Sequence, residues 1–181
     1  TSDTFDIGLS GRTNTLHFSA NVFDTQIDNL ISYDAALNKP VNIGEAKISG
    51  LELTAGALLA GWNINAAYTL ISSKNESLGP NKGNFLARRP ENSFDMSFQR
   101  GFGKVSALVD VHAQGHSFDD LANTQRLAGF TTVDLNMGYA VTPTWLLNLA
   151  LNNLLDKQYE TAKYYNQDGL NALLTLRYTP K

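Results

Sequence analysis

Thr131-Thr132-Val133-Asp134-Leu135-Asn136-Met137-Gly138-Tyr139-Ala140-Val141 decides the fold. Successive side chains of a strand point to opposite faces, so a period of two separates this stretch into two rows. One row carries Thr131, Val133, Leu135, Met137, Tyr139 and Val141; the other carries Thr132, Asp134, Asn136, Gly138 and Ala140. The next segment repeats the pattern, with Trp145, Leu147, Leu149 and Leu151 against Leu146, Asn148, Ala150 and Asn152. Upstream, Val105–Ala113 and Trp62–Ile71 alternate in the same way. Phe5–Leu9, Leu16–Val22, Leu51–Ala57, Phe94–Phe98 and Leu170–Tyr178 complete nine expected strands, with no helical pattern.

Alternation also occurs in soluble antiparallel sheets. What separates the two cases is which face is apolar and how it is built. Across the central segments the apolar row contains no Lys, Arg, Asp or Glu, while the opposite row carries Asn63, Asn65, Asp134, Asn136 and Asn148. A soluble core needs larger and more continuous apolar side chains than those. Apolar outside and polar inside is the pattern of an outer-membrane β-barrel.

Composition agrees. Only 17% of the 181 residues are charged, against about a quarter in ordinary soluble domains. A net charge of -3 disfavours nucleic-acid binding through bulk positive charge. The absence of cysteine excludes disulfides, thiolate metal sites and a cysteine nucleophile. No apolar run is long enough for a membrane helix, and Thr1-Ser2-Asp3-Thr4 has neither the basic start nor the apolar core of a signal peptide. A barrel is the remaining way to cross a bilayer.

The connections fall into two classes that alternate. Gly11–Asn14, Leu59–Gly61, Arg100–Gly103 and Thr142–Thr144 are short, whereas Gln26–Glu45, Ser73–Ala87, Ser117–Ala128 and Lys157–Gly169 are long. Short turns belong to the periplasmic side and long loops to the extracellular side. Trp62, Phe102, Tyr139, Trp145 and Tyr178 lie near the short-turn end, where an interfacial aromatic belt is expected. An odd strand count places the first strand's start outside, whereas complete bacterial barrels have an even number. The expectation is therefore a partial barrel, the C-terminal part of a larger one.

Residues Asn153-Leu154-Leu155-Asp156-Lys157-Gln158-Tyr159-Glu160-Thr161 resemble the Asn-Leu-Phe-Asp-Lys-x-Tyr motif near the C-terminus of TonB-dependent outer-membrane receptors, with Leu155 in place of Phe. Ile48-Ser49-Gly50-Leu51-Glu52-Leu53, Arg89-Pro90-Glu91-Asn92 and Val133-Asp134-Leu135 support the resemblance. Within that family, Tyr159-Glu160-Thr161, Tyr164-Tyr165-Asn166-Gln167-Asp168-Gly169 and Asp28-Asn29-Leu30-Ile31-Ser32-Tyr33 are most similar to the vitamin B12 (cobalamin) receptors. The resemblance covers essentially residues 1–181.

It implies an all-β, transmembrane antiparallel barrel of 22 strands, of which these are the last nine, with the N-terminal plug and earlier strands absent. It further implies a Gram-negative outer membrane, membrane lipid around the barrel, and uptake of a nutrient cargo energised through TonB, which acts on the absent region. No enzyme, no cofactor and no metal is expected: no nucleophile and base share a level, and the family's calcium-binding loops do not lie in these residues. The barrel assembly machinery is a further implied partner: Asn171, Leu176 and Tyr178 fit the polar, hydrophobic and aromatic positions of its C-terminal signal. Leu173 stands where Gly is usual, and Thr179-Pro180-Lys181 extends past the aromatic.

Other motifs have plainer readings. His112 and His116 are spaced for a metal on a helix, but on a strand they stand about 13 Å apart and read as lumen-facing polar residues. Asp119-Asp120 reads as a solvated loop pair, since two carboxylates fall well short of a calcium shell. Gly101-Phe102-Gly103-Lys104 reads as a turn, and Ser106, Asp110 and His112 as polar lining without a nucleophile elbow. The best cargo-contact candidates are Tyr159, Tyr164, Tyr165, Asn166 and Gln167, because tyrosines joined by amides can stack on and hydrogen-bond a large planar ligand. Iron–siderophore uptake and a passive porin are the competing functions, with an outer-membrane enzyme and a soluble ligand-binding barrel behind them.

Overall fold

The computed structural model describes residues 1–34 and 37–180. In chain order the strands are β1 (Ser2–Arg12), β2 (Leu16–Asp34), β3 (Lys39–Leu59), β4 (Trp62–Asn75), β5 (Asn92–Phe102), β6 (Val105–Gln114), β7 (Ser117–Phe118), β8 (Arg126–Leu127), β9 (Phe130–Ala140), β10 (Trp145–Asn152), β11 (Glu160–Ala162), β12 (Tyr165–Asn166) and β13 (Asn171–Tyr178). Nine of them form one antiparallel sheet in the order β1-β2-β3-β4-β5-β6-β9-β10-β13. These nine correspond to the nine expected from alternation. β7–β8 and β11–β12 are small hairpins inside two of the long connections. β1 and β13 are edges, so the sheet is not closed.

The register carries the two faces across the sheet. Leu149 lies between Leu174 and Met137, and its neighbour Asn148 between Thr175 and Gly138. Farther along, the apolar row runs through Tyr68, Phe94, Ala113 and Thr131. On this row Asp24, one step beyond the Val22–Leu51 pair and on the side away from the short turns, forms an ion pair of 2.9 Å with Lys47. At the short-turn end Arg100 lies over the rings of Trp62 and Phe102 at 5.7 and 4.9 Å. Trp145 packs on Tyr178 with centroids 4.7 Å apart. These aromatics gather at the short-turn end, where the sequence places them. The Leu59–Gly61 connection is a two-residue turn in which Ala60 (φ 49°) and Gly61 (φ 80°) are both left-handed, the geometry of a type I′ hairpin.

One expected loop is mostly strand. Gln26–Glu45 continues the β2–β3 ladder to the Asp34–Lys39 pair, so the paired strands reach 19 and 21 residues. A membrane crossing needs about 9–11, and the hairpin therefore extends well beyond a bilayer. The alternation was hidden by Asn29, whose φ of 58° turns the strand over. Below it odd-numbered Ile27 packs toward the hairpin's cluster, and above it even-numbered Leu30 does so.

That cluster is the hydrophobic core of the described residues: Ile43, Ala46, Leu86 and Leu121, flanked by Ile27, Leu30, Val41, Ile48 and Ala87. It forms where the outer β2–β3 hairpin meets Leu86, Ala87 and Leu121 of the long connections. Asn123 joins them, receiving the Phe85 N–H at 2.7 Å and donating to the Phe85 carbonyl at 2.9 Å. Asp119 and Asp120 are 2% and 1% exposed, which corrects the reading of a solvated pair. Asp119 accepts from Arg88 Nε at 2.6 Å. Asp120 accepts from Thr124 Oγ1 at 2.7 Å and from the Thr124 and Gln125 N–H groups at 3.0 and 2.8 Å. Both are loop staples.

Candidate functional site

The Asn153–Tyr159 stretch forms the turn that leaves β10. Asn153 is 5% exposed and left-handed at φ 53°, a conformation Asn tolerates better than most residues. Its side chain accepts from the Lys157 N–H at 2.9 Å and donates to the Lys157 and Asp168 carbonyls at 2.9 and 3.1 Å. The Asn153 N–H is itself held by the Asp134 carboxylate at 2.7 Å. Leu154 N–H donates to the Val133 carbonyl, and Asp156 accepts from the Leu170 N–H at 2.9 Å. The motif thus closes both ends of the last long connection onto β9. Leu155, where the family motif has Phe, is exposed.

Tyr159 stacks on Phe130 with centroids 3.9 Å apart, and Phe130 touches His112 at 5.8 Å. Between Tyr159 and Asp168 the β11–β12 hairpin pairs Glu160 with Asn166 and Ala162 with Tyr165. Gln167 donates its N–H to the Tyr159 carbonyl at 3.0 Å and its side-chain amide to Thr161 Oγ1 at 3.1 Å.

Of the five candidate cargo residues, three meet. Tyr159, Asn166 and Gln167 line a hollow of about 260 Å³ with Asn152, Asn171 and Asp134. Tyr164 and Tyr165 stand apart at the hairpin tip, 84% and 70% exposed, with Lys163 Nζ 5.5 Å from the Tyr164 ring. Thr132 and Asp168 also border the hollow, and the sequence reading did not single them out. Asn152 and Thr132 could have been found from parity, since both belong to the polar rows of their strands. Asp168 belongs to no strand, so alternation says nothing about it.

A second, larger cavity of about 430 Å³ lies on the polar face of the sheet and shares Asp134 with the hollow. Its polar lining includes His17, Asn65, Asp95, Asp110 and His112. Asp95 and His112 pair at 2.7 Å across β5 and β6. Asp110 faces Asp134 directly across β6 and β9. His17 lies over Gly56, where any Cβ would collide with its ring and with Asn65. Among the described residues no group of three His, Cys, Asp or Glu is placed to hold a metal ion. His112 and His116 diverge: β6 ends before His116, whose ring meets Phe118 edge-on at 5.8 Å.

The remaining expected residues take structural places. Leu176 and Tyr178 stand on the apolar row of β13, opposite Leu147 and Trp145. Asn171 stands on the polar row and accepts from the Asn152 amide at 2.8 Å. Leu173 is on the polar row opposite Ala150. Lys181 lies outside the described residues. In the connection between β4 and β5, burial lowers the Arg89 guanidinium from its ordinary value, and a guanidinium stays charged nonetheless.

Comparison with known proteins gives a consistent result. The family model for the TonB dependent receptor-like β-barrel matches residues 1–154. The vitamin B12 transporter BtuB of Photobacterium profundum is 30% identical over 184 residues, covering 98% of this chain and 30% of the relative. A probable TonB-dependent siderophore receptor, PiuA of Acinetobacter baumannii, is 25% identical over 199 residues, covering 98% of this chain and 26% of that one. The PiuA crystal structure superposes with a TM-score of 0.82 over 98% of this chain and 28% of PiuA, at 25% identity. The ferric citrate transporter FecA, at 19% identity, shares the fold with a TM-score of 0.82, over 96% of this chain and 30% of its own. The chain thus spans about a third or less of the relatives it matches.

Proposed function

The chain belongs to the family of TonB-dependent receptor β-barrels, and from that premise we propose that it is the C-terminal part of a receptor importing a large, scarce nutrient, a corrinoid before an iron–siderophore. Barrels of this family are outer-membrane proteins of Gram-negative bacteria. The proposed place of this chain is that membrane, with lipid against the apolar row and the assembly machinery reading β13. The earlier strands and a plug would complete the receptor, and TonB would supply energy through that missing region. The unclosed sheet, with β1 and β13 each paired on one side, supports a larger barrel.

One observation carries the transport reading. The nine-stranded sheet keeps charge out of the middle of one face and lines the other with carboxylates, amides and hydroxyls. Such a wall fits lipid outside and a polar passage inside. The corrinoid preference rests on the 30% identity with a vitamin B12 transporter across nearly the whole chain. The siderophore alternative rests on the likeness to PiuA. On either reading Tyr159, Asn166 and Gln167 contact cargo in the hollow, and Tyr164 and Tyr165 meet it first at the hairpin tip.

The test is nutritional. A strain that requires external cobalamin and lacks its own receptor is supplied with the gene product carrying this chain. Growth at limiting cobalamin that also requires TonB is the expected result. TonB-dependent growth on a ferric siderophore, without growth on cobalamin, would transfer the assignment to the alternative. Cobalamin-supported growth that persists without TonB would overturn active transport.

A further inference from the structure

The apolar row continues past its apolar part, and its composition changes there. Lys47 and Lys74 pair directly across β3 and β4, two steps along the row from the Leu51–Leu70 pair. Lys74 is bridged in turn to Phe85 of the β4–β5 connection, and its Nζ lies 5.7 Å over that ring. Phe85 stacks on Phe118 with centroids 6.4 Å apart, and Phe118 pairs with Arg126 across β7 and β8. The residue next to each of these five, Ala46, Ser73, Leu86, Ser117 and Leu127 respectively, is buried. The five therefore share the opposite, outward side, with Arg126 exposed and the others half-buried.

Two lysines directly opposite each other repel, and Asp24 neutralises only Lys47, at 2.9 Å. Lys74 and Arg126 form no ion pair among the described residues. The strip thus holds an uncompensated positive charge on either side of a pair of rings. One step farther out Asp28 stands opposite Glu45, so the positive band is a single residue deep.

We propose that this strip docks phosphate-bearing lipid headgroups of the leaflet beside it, the outer one on the orientation expected from the connection lengths. The inference rests on the assignment of lipid to the apolar row and goes beyond it in naming a headgroup chemistry and the side chains that hold it. Lys74 and Arg126 donate to phosphate oxygens, the ammonium as a compact charge and the guanidinium as a planar fork. Their apolar stems, with Phe85 and Phe118 between them, lie along the boundary between headgroups and acyl chains, as amphipathic side chains do. Continuity with the apolar row argues for a lipid over a soluble anion. A zwitterionic headgroup offers the same phosphate with its charge cancelled nearby, so the strip separates lipids by net charge.

The experiment uses the receptor that carries this chain, purified in detergent, beside Lys74→Gln/Arg126→Gln and the charge-keeping Lys74→Arg/Arg126→Lys. Binding of lipid A, a diphosphorylated glycolipid, and of phosphatidylcholine is titrated in mixed micelles. Loss of both charges should weaken lipid A binding about tenfold, while the charge-keeping variant stays within about twofold of the wild type. Phosphatidylcholine should not distinguish the three proteins. Added salt should weaken lipid A binding by the wild type more than by the glutamine variant, because exposed charges are screened. Equal lipid A binding by the wild type and the glutamine variant overturns the strip. Equal loss in both variants overturns it too, since the effect would then be structural. Displacement of lipid A by inorganic phosphate at equal concentration would make the strip a soluble-anion site and overturn the lipid assignment of its occupant. A bimane on Leu149→Cys reads the underlying premise separately, through quenching by a nitroxide-labelled acyl chain. Absence of quenching sinks the placement of lipid on the apolar row, whereas quenching with equal lipid A binding sinks the strip alone.

Discussion

The sheet and the long connections are built by opposite rules. In the sheet the large apolar side chains are the exposed ones: Ile7, Phe18, Leu53, Tyr68, Met137 and Leu174 all point away from the chain. The long connections, packed on the outer β2–β3 hairpin, instead hide Leu86 and Leu121 beside Ile43 and bury Asp119 and Asp120 with partners. One chain therefore contains a region that needs an apolar solvent and a region that makes its own interior. The lesson is that burial alone does not mark the functional face here. In the membrane-crossing region the polar row is the inside, whereas above it the apolar cluster is.

Two substitutions should expose this difference most strongly. Leu86, 1% exposed, anchors the loop cluster, and Leu86→Ala should cost that region about 2–5 kcal/mol through lost burial and a cavity. Hydrogen exchange should show residues 76–91 and 117–128 opening while β9 and β10 stay protected. Equal loss of protection in both would merge the two regions into one cooperative unit. In lipid vesicles, Leu149→Arg should cost about 2–4 kcal/mol if the site is near the bilayer midplane, because lipid cannot solvate the charge. Asn148→Arg, one residue away on the polar row, should cost much less. Reversible unfolding of both variants measures the difference, and equal costs would remove the assignment of lipid to the apolar row.

A smaller effect separates the staples from ordinary loop polarity. Asp120→Ala removes the carboxylate that accepts from the Thr124 and Gln125 N–H groups, and a hydrogen bond to a charged group contributes about 1.5–3 kcal/mol. Faster proteolysis between Phe118 and Arg126, with the sheet intact, is the expected result. Unchanged cleavage would return Asp120 to the solvated reading.

The same contrast explains what was legible in the sequence. The sheet could be read because period two survives wherever one row faces lipid and the other water, as in Thr131–Val141 and Trp145–Asn152. Alternation ends at Asn29, where a single left-handed residue exchanges the rows, so the outer part of the β2–β3 hairpin looked like loop. The buried state of Asp119 and Asp120 was illegible for a different reason. Their partners Arg88 and Thr124 are set by how one loop rests on another, and no local pattern encodes that. At the site, the Asn153 motif and the residues following it were found, but motif reading grouped five side chains that the fold separates. Tyr164 and Tyr165 occupy the tip because the β11–β12 hairpin turns between Ala162 and Tyr165.

The weakest effect tests how the site is attached to the sheet. Tyr159 is held by its stack on Phe130, and Phe130 in turn touches His112 on β6. An aromatic pair of this kind contributes about 0.5–1.5 kcal/mol beyond its buried area. Tyr159→Leu keeps an apolar side chain but removes the ring, so β9, β10 and the Asn153 bonds should persist. What should change is the hairpin above the hollow, whose remaining ties run through Asn153, Asp156 and the Gln167 N–H. Exchange protection of the Gln167 amide should fall by roughly twofold to twelvefold, the factor corresponding to that energy, while the Lys157 amide bound by Asn153 stays protected. Parallel loss at both amides would mean the stack supports the whole connection, and the separation between a pinned base and a looser cargo-facing hairpin would have to be abandoned.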